Sequence, residues 1–346
     1  MPNAMRALLS LSALALACAV ALPVAAQEQV VNLYSSRHYQ TDEALYENFT
    51  KATGIKINRI EGTEDGLIER LRNEGANSPA DIFMTVDAGR LWQAEAAGLL
   101  QGVRSDVLEK RIPAHLRHPE GKWFGFSTRA RLLFVNKDAV KPGEIKTYEE
   151  LADPKWKGKV CVRSSTNIYN LSLMGALIEQ HGEKKAEEWA KGVADNLARK
   201  PQGGDTDQLK AAAAGECAVA LSNHYYYVRL LRSAKAEDQA VAEKLAPVFP
   251  NQDGLGVHAN ISGAGVAANA PHKAAAVKFL EYLASDAAQG YFASGNNEFP
   301  AVPMEVDNPA LRQLAPNGFK VNPVNVAAYG RNQKLAQMIY DRVGWR

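Results

Sequence analysis

The chain has 346 residues, with 40 lysine or arginine residues set against 38 aspartate or glutamate residues, for a formal net charge of +2. This balance argues against nucleic acid as a partner and gives no sign of a polybasic patch that would bind a membrane surface. The length exceeds what one hydrophobic core comfortably serves, and it predicts two domains.

The N-terminus has the order of a secretory signal peptide. A basic residue is followed by an uncharged, mainly apolar run at 7–24, and Val24-Ala25-Ala26 then offers small residues at a signal-peptidase cleavage site. This order predicts a signal peptide at residues 1–26 and export to the periplasm. The alternatives are a retained membrane helix and a lipoprotein modified at Cys18, although Ala15 stands where a lipoprotein signal would have leucine.

Strands and helices alternate along the mature chain. The spacing of apolar residues predicts a strand at 30–34, a helix at 41–50, a strand at 55–60, a helix at 66–74, a strand at 80–84 and a helix at 90–97. Further along it predicts a strand at 160–162, helices at 169–181, 184–196 and 206–214, strands at 218–221 and 262–268, and a helix at 273–285. Such alternation is typical of two α/β units, each a parallel sheet flanked by helices, with a ligand cleft where the strands end.

Two cysteines, Cys161 and Cys217, remain after the signal peptide. Cys161 lies within the predicted strand at 160–162, and Cys217 directly precedes the strand at 218–221. If these strands are neighbours, a disulfide is geometrically possible in an oxidising compartment. Neither cysteine has the spacing of a thiolate metal site, which disfavours zinc. The sequence does not decide whether the disulfide forms.

The segment from Ser222 to Tyr227, directly after the strand at 218–221, contains three consecutive tyrosines. Their side chains cannot all enter one core, because strand side chains alternate and helical ones fan around the axis. At least one phenol therefore faces solvent or a cleft, at the end of the strand where α/β sheets bind ligands. The alternative is that they are ordinary packing aromatics with hydrated tips.

Two more polar segments follow predicted strands. The segment at 35–39 ends in His38 and Tyr39, and the segment at 163–169 ends in Tyr169. From the residues alone, His38 could instead be a packing or surface histidine. The segment at 163–169 could instead cap the helix that follows it. Phenolate is a hard oxygen donor that suits a highly charged cation such as ferric iron, whereas calcium and magnesium call for carboxylates and zinc for cysteine or histidine sets.

With these segments in place, the chain from about Val30 onward resembles the periplasmic ferric iron-binding proteins of ABC importers, especially the cyanobacterial type with a tyrosine-rich site. The resemblance is carried by five motifs, which are Tyr34-Ser35-Ser36-Arg37-His38-Tyr39, Pro79-Ala80-Asp81-Ile82-Phe83, Asp153-Pro154-Lys155-Trp156-Lys157-Gly158-Lys159, Gly204-Asp205-Thr206-Asp207-Gln208 and Asn223-His224-Tyr225-Tyr226. The second and third motifs also occur in solute-binding relatives with other cargo. The paired tyrosines, together with His38-Tyr39, are the specific part.

Position by position, the resemblance implies a ligand set for iron, which is His38, Tyr39, Tyr169, Tyr225 and Tyr226. Tyr227 would be a neighbour rather than a ligand. The resemblance also implies that Arg129 and Arg229 line the site, where they would balance phenolate charge and donate hydrogen bonds. The chain departs from the other branch of the family at Val86, where that branch has a glutamate ligand.

The same resemblance implies an α/β, two-lobed periplasmic-binding-protein fold of type II, with two crossovers and the ligand cleft between the lobes. The N-lobe would comprise 27–127 plus 254–300, and the C-lobe 128–253 plus 301–346. Both lobes would contribute phenols, so that one ion closes the cleft like a hinge. The protein would act as a monomer and deliver its ion to an inner-membrane ABC permease and its ATPase, without catalysis, nucleic acid or a membrane span.

Two rival functions are weighed against iron binding. A protein of this fold could instead hold a small organic ion, with the tyrosines as an aromatic cage. A secreted hydrolase is the second rival, but the sequence contains no G-x-S-x-G, no H-E-x-x-H and no glycine-rich phosphate loop. The transported ion is expected to be Fe3+, while Fe2+ stays open because nearby arginines could leave some tyrosines protonated.

Overall fold

The computed structural model describes residues 29–37, 39 and 41–346. The predicted signal peptide at 1–26, Cys18 and the predicted ligand His38 lie outside the described residues. Within the part of the chain that is described, no helix has the length and apolar character needed to cross a bilayer.

The described residues form ten strands, which are β1 (Val30–Ser35), β2 (Lys56–Glu61), β3 (Ile82–Thr85), β4 (Leu100–Gln101), β5 (Phe124–Asn136), β6 (Val160–Cys161), β7 (Val219–Asn223), β8 (Leu245–Val248), β9 (Ala259–Ala267) and β10 (Phe299–Pro300). Their α-helices are α1 (Asp42–Thr53), α2 (Glu64–Glu74), α3 (Ala88–Ala96), α4 (Asp106–Arg111), α5 (Ile168–His181), α6 (Glu183–Asp195), α7 (Asp205–Ala213), α8 (His224–Leu231), α9 (Ala236–Glu243), α10 (Lys273–Leu283), α11 (Asp286–Asn296), α12 (Pro309–Leu314), α13 (Ala327–Arg331) and α14 (Gln333–Val343).

The strands are ordered β2-β1-β3-β9-β5-β7-β6. At one side β1 pairs in parallel with β2 and β3, and at the other β6 pairs in parallel with β7. In the centre, however, β9 runs antiparallel to both β3 and β5, and β5 runs antiparallel to β7. The prediction of purely parallel sheets was therefore wrong at the centre, because the long strands that run between the two units return against the direction of their neighbours.

The strand β5 links the two halves of the molecule. Its first part, Phe124 to Ala130, pairs with β9, and its second part, Arg131 to Val135, pairs with β7. All of its residues are buried, so it shows no alternation of polar and apolar residues. The chain crosses once along β5 and returns into β9, which is the two-crossover arrangement that the sequence predicts.

The described residues form two hydrophobic cores, and β5 contributes Phe126 to the first and Phe134 to the second. The first core is built around β1, β3, α10 and α11, and the second around β7, α5 and α6. The C-terminal residues divide between the cores, since Tyr329 packs in the first and Tyr340 in the second. The lobe boundaries given above stay a prediction, because α13 packs against both α3 and α5.

Cys161 and Cys217 form a disulfide bond in this structure. Cys161 ends β6, and the parallel pairing of β6 with β7 brings it beside the residues that follow Cys217. The two Cα atoms lie 5.9 Å apart, within the range that an unstrained bridge spans. The bridge ties the two strands of the second core that precede α5 and α8.

Candidate metal centre

Tyr39 lies between β1 and α1, and both its main chain and its ring have defined contacts. Its carbonyl oxygen accepts a hydrogen bond from the Asp42 N–H at 2.9 Å. The guanidinium of Arg37 lies 5.0 Å from the centre of the Tyr39 ring. Arg37 is itself buried, and its Nε donates to Asp42 at 2.9 Å. A buried ion pair therefore lies next to the Tyr39 ring.

Tyr169 is the second residue of α5. The side chain of Asn167, which caps this helix, accepts a hydrogen bond from the Tyr169 N–H at 3.2 Å. The polar segment before Tyr169 therefore caps a helix, which is the alternative role that the sequence left open for it. Capping and a role for Tyr169 are compatible, because the cap sets where the first turn places its phenol.

The three consecutive tyrosines lie on the first turn of α8, which begins directly after β7. Tyr225 is buried and its ring centre is 4.3 Å from that of Tyr226. Tyr227 instead packs into the second core, 5.0 Å from the ring of Phe134, and its hydroxyl donates to the Ala242 carbonyl at 3.4 Å. Because helical side chains point in different directions around the axis, Tyr225 and Tyr226 lie at the candidate site while Tyr227 packs in the second core.

The four tyrosines implied by the resemblance come together. The Tyr225 hydroxyl donates to the Tyr169 hydroxyl at 3.2 Å, although the residues are 56 positions apart. Tyr39, Tyr169 and Tyr226 line one cavity of about 590 Å³, which Val86 and Arg229 also line. Two larger cavities, of about 780 and 920 Å³, have no tyrosine among their lining residues. The phenol cluster therefore marks the smaller cavity as the candidate site.

Two of the phenols, those of Tyr169 and Tyr225, have pKa values above that of a free tyrosine. Burial raises the pKa of Tyr225 well above its ordinary value, and the neighbouring Tyr169 raises it further. Burial also raises the pKa of Tyr169, with Tyr226 adding to the effect and Arg129 opposing it. A metal must therefore displace protons from these oxygens to bind, which only a strongly polarising cation does at neutral pH.

Both predicted arginines lie at this cluster. Arg129, on β5, donates to the Tyr39 hydroxyl at 3.4 Å and lies 5.4 Å from the Tyr225 ring. It also donates to the Val86 carbonyl at 2.7 Å. Arg229 is exposed and lies 5.2 Å from the ring centre of Tyr225 and 5.5 Å from those of Tyr226 and Tyr39. Two cationic groups thus face a set of potential anions.

Glu298 is a buried residue of the site that the sequence argument did not find. Its carboxylate accepts from Arg129 at 2.6 and 3.1 Å, from Arg37 at 3.2 Å and from the hydroxyl of Ser127. Burial by itself would raise its pKa, but Arg129 and Arg37 outweigh burial and lower the pKa of Glu298 to about 2. Glu298 is 169 positions from Arg129 along the chain, so no local pattern could have indicated it.

The donors present fit a hard, highly charged cation. Among the described residues, no group of three or more histidine, cysteine, aspartate or glutamate side chains could hold a metal ion. Val86 lines the cavity with an apolar side chain, so it supplies no carboxylate. The lining of the cavity offers hard oxygen donors, which are the phenols of Tyr39, Tyr169 and Tyr226 and the carboxylates of Glu61 and Glu64. His38 lies outside the described residues.

The chain is similar to known proteins over most of its length. The family model for bacterial extracellular solute-binding proteins matches residues 77–325. Iron uptake protein A2 of Synechocystis is 51% identical over 323 residues, covering 93% of this chain and 91% of that protein. The major ferric iron-binding protein of Neisseria meningitidis serogroup B is 27% identical over 307 residues, covering 87% of this chain and 89% of that protein.

The structural similarity is equally extensive. The structure of Trichodesmium IdiA (FutA) in complex with iron and citrate ligands superposes with a TM-score of 0.89 at 56% sequence identity, covering 92% of this chain and 100% of that chain. This similarity confirms the predicted two-lobed α/β fold of periplasmic ferric-binding proteins.

Proposed function

The chain belongs to the bacterial extracellular solute-binding protein family, and from this premise we propose that it captures one ferric iron ion outside the cytoplasm and delivers it to an ABC-type importer. The observation that carries the proposal is the convergence of Tyr39, Tyr169 and Tyr226 on one cavity, with the Tyr225 hydroxyl hydrogen-bonded to that of Tyr169. The comparisons support it, because the similar proteins are named as iron uptake and ferric iron-binding proteins.

In this proposal the ligands are His38, Tyr39, Tyr169, Tyr225 and Tyr226, with Arg129 and Arg229 around them. Tyr39 comes from the loop after β1, and the other three tyrosines come from α5 and α8 of the second core. One ion bound by both walls would draw the lobes together, as hinge closure requires. The arginines would offset the negative charge that remains once phenolates outnumber the charges on the ion.

The chemistry of uptake is proton exchange at the phenols. Each tyrosine that coordinates iron must lose the proton on its hydroxyl oxygen, since phenolate rather than phenol is the strong donor. The raised pKa of Tyr225 means that this step needs a cation of high charge density. Ferrous iron polarises phenols less strongly, so the buried tyrosines favour ferric iron over ferrous iron.

The aromatic-cage alternative is less consistent with the geometry. A cage binds a cation against open ring faces. Here Arg229 already lies within 5.5 Å of the ring centres of Tyr39, Tyr225 and Tyr226. Arg129 also lies 5.4 Å from the ring of Tyr225. A second cation bound by ring faces would meet like charge, whereas a cation bound by the phenol oxygens gains phenolate ligands that the arginines then balance.

The cellular part of the proposal follows the family. The family model describes extracellular proteins, and relatives such as that of Serratia marcescens are named periplasmic. We infer a periplasmic protein that is exported by a signal peptide at 1–26, acts as a monomer and hands its ion to a membrane permease coupled to an ATPase. The proposal includes no catalytic step.

Titration of the mature protein with ferric iron tests the proposal. Phenolate bound to ferric iron absorbs visible light, so the wild-type protein should develop one visible band that saturates at one iron per chain. Tyr225→Phe and Tyr226→Phe should lose most of the band. Tyr227→Phe is the matched control and should keep it, because the Tyr227 hydroxyl bonds to the Ala242 carbonyl. The absence of a band and of any change in melting temperature with iron would refute the proposal.

A further inference from the structure

His224 lies between the end of β7 and the first site tyrosine of α8, and it is fully buried. Its ring stacks on Phe299, with centres 4.4 Å apart and planes inclined by 27°. It also meets the Tyr225 ring edge-on at 5.8 Å. A buried imidazole next to the paired tyrosines would be replaced by an apolar ring at little cost if packing were its only role.

Both nitrogens of His224 have defined partners. The Ala130 N–H on β5 donates to Nδ1 at 3.2 Å, so Nδ1 is the acceptor. Nε2 therefore carries the proton and donates to the Asn297 carbonyl at 2.9 Å. His224 thus ties the start of α8 to the crossover strand β5 and to the segment that follows α11.

Asn297 adopts a left-handed backbone conformation, with φ at 59°, at the end of α11. Its side-chain oxygen accepts from Asn308 at 3.1 Å and from Arg232, the residue that follows α8. The helix that bears Tyr225 and Tyr226 is therefore joined to Asn297 at both ends. The next residue, Glu298, holds Arg129 and Arg37, which contact Tyr39.

We infer that the corner formed by Asn297 and Glu298 is a positioning element that joins the two walls of the iron site, with His224 as its contact to the tyrosine helix. A continuous path runs from Tyr225 through His224 and this corner to Arg129 and Tyr39. The path contains no metal ligand between its ends. It therefore sets the separation of the phenols before iron arrives, which lowers the cost of ordering them on binding.

This inference rests on the proposed iron-binding function, and it is tested with three substitutions of one residue. His224→Phe keeps the ring and removes both hydrogen bonds. His224→Gln can place an amide N–H where Nε2 donates to Asn297, whereas His224→Asn can only replace the acceptor at Nδ1. The matched control is His258→Gln, which replaces another buried histidine, one whose ring packs 4.5 Å from that of Tyr329.

The measurements are the position and intensity of the iron–phenolate band, iron affinity by competition with citrate, and the melting temperature without iron. We expect iron binding about 10- to 100-fold weaker, with a shifted band, in His224→Phe and His224→Asn. His224→Gln should restore the wild-type band and affinity, and His258→Gln should leave both unchanged even if its melting temperature falls.

The outcomes separate the inference from the function on which it rests. A wild-type protein that shows neither a band nor a change in melting temperature with iron refutes the iron-binding function and the positioning role with it. A wild-type band that persists unshifted and at full affinity in a folded His224→Phe protein refutes the positioning role alone. If His224→Phe does not fold, equal affinities for His224→Gln and His224→Asn refute it, and restoration by glutamine but not asparagine supports it.

Discussion

Replacing Glu298 with glutamine should destabilise the iron-free protein in a manner that depends on pH. The carboxylate is buried between Arg129 and Arg37, whose guanidinium groups lie 2.6 and 3.2 Å away. The variant Glu298→Gln keeps the shape of the side chain and removes the charge. Leaving the two arginines without this partner should cost about 3 to 5 kcal/mol at neutral pH, the usual cost of breaking a buried ion pair.

The pH dependence follows from the pKa of Glu298. A carboxyl group whose pKa falls from 4.5 to about 2 on folding contributes roughly 3 kcal/mol of stability, since one pKa unit corresponds to about 1.4 kcal/mol. Because the pKa of the folded state is the lower one, this contribution is complete above the unfolded value. It is lost as the pH falls from about 5 to about 2, and about 2 kcal/mol of it is gone at pH 3.

Urea denaturation of the iron-free, disulfide-intact protein from about pH 7 to about pH 3 measures this effect as the difference between wild type and variant. We expect the difference to shrink by about 2 kcal/mol over this range, because glutamine does not titrate. The control Asp195→Asn removes an exposed carboxylate that pairs with Lys191, and it should change stability by less than about 1 kcal/mol. A Glu298→Gln difference that stays constant with pH would refute the reasoning.

Two further predictions concern the second core and its contacts. Cys161→Ala combined with Cys217→Ala opens a loop of 56 residues. The double variant should have a free energy of unfolding about 4 kcal/mol lower than that of the wild type. A urea midpoint equal to that of the wild type would contradict this. Gly175→Ala should cost about 1 to 3 kcal/mol, because its Cβ would lie 2.8 Å from the Tyr329 carbonyl oxygen. Gly290, on α11, would have nothing within 4 Å of a new Cβ. Gly290→Ala should therefore stabilise the protein by up to about 1 kcal/mol. A melting temperature of Gly175→Ala above that of Gly290→Ala would contradict the packing argument.

Most regular elements of the described chain could be predicted because their signals are local. The helix predicted at 169–181 is Ile168–His181, and the strand predicted at 30–34 is Val30–Ser35. Apolar spacing, an asparagine cap and a terminal glycine suffice to locate such elements. The strand β5 was not predicted because it lacks such a local signal. Its residues are buried on both faces and include Arg129 and Arg131, so polar and apolar residues do not alternate along it.

The site divides in the same way. Tyr39, Tyr169, Tyr225 and Tyr226 could be proposed as ligands, because each lies in a short segment that resembles the family. The exclusion of Tyr227 was implied by that resemblance, and its physical reason is helical spacing at the start of α8. Glu298 and the contacts of His224 could not be predicted, because their partners lie far away in the chain and are reached only when β5 and the segment after α11 pack together.

The sequence by itself determined most of the order of strands and helices and the two-lobed class, since these depend on periodicity and on motifs of a few residues. It also implied, through the family resemblance, which tyrosines to propose as ligands. The tertiary structure alone decided the antiparallel centre of the sheet, the meeting of the Tyr225 and Tyr169 hydroxyls and the buried network around Glu298. The physical reason is that a buried charge is stable only where partners from distant segments surround it. No local pattern encodes that condition, which is met only when the whole chain has folded.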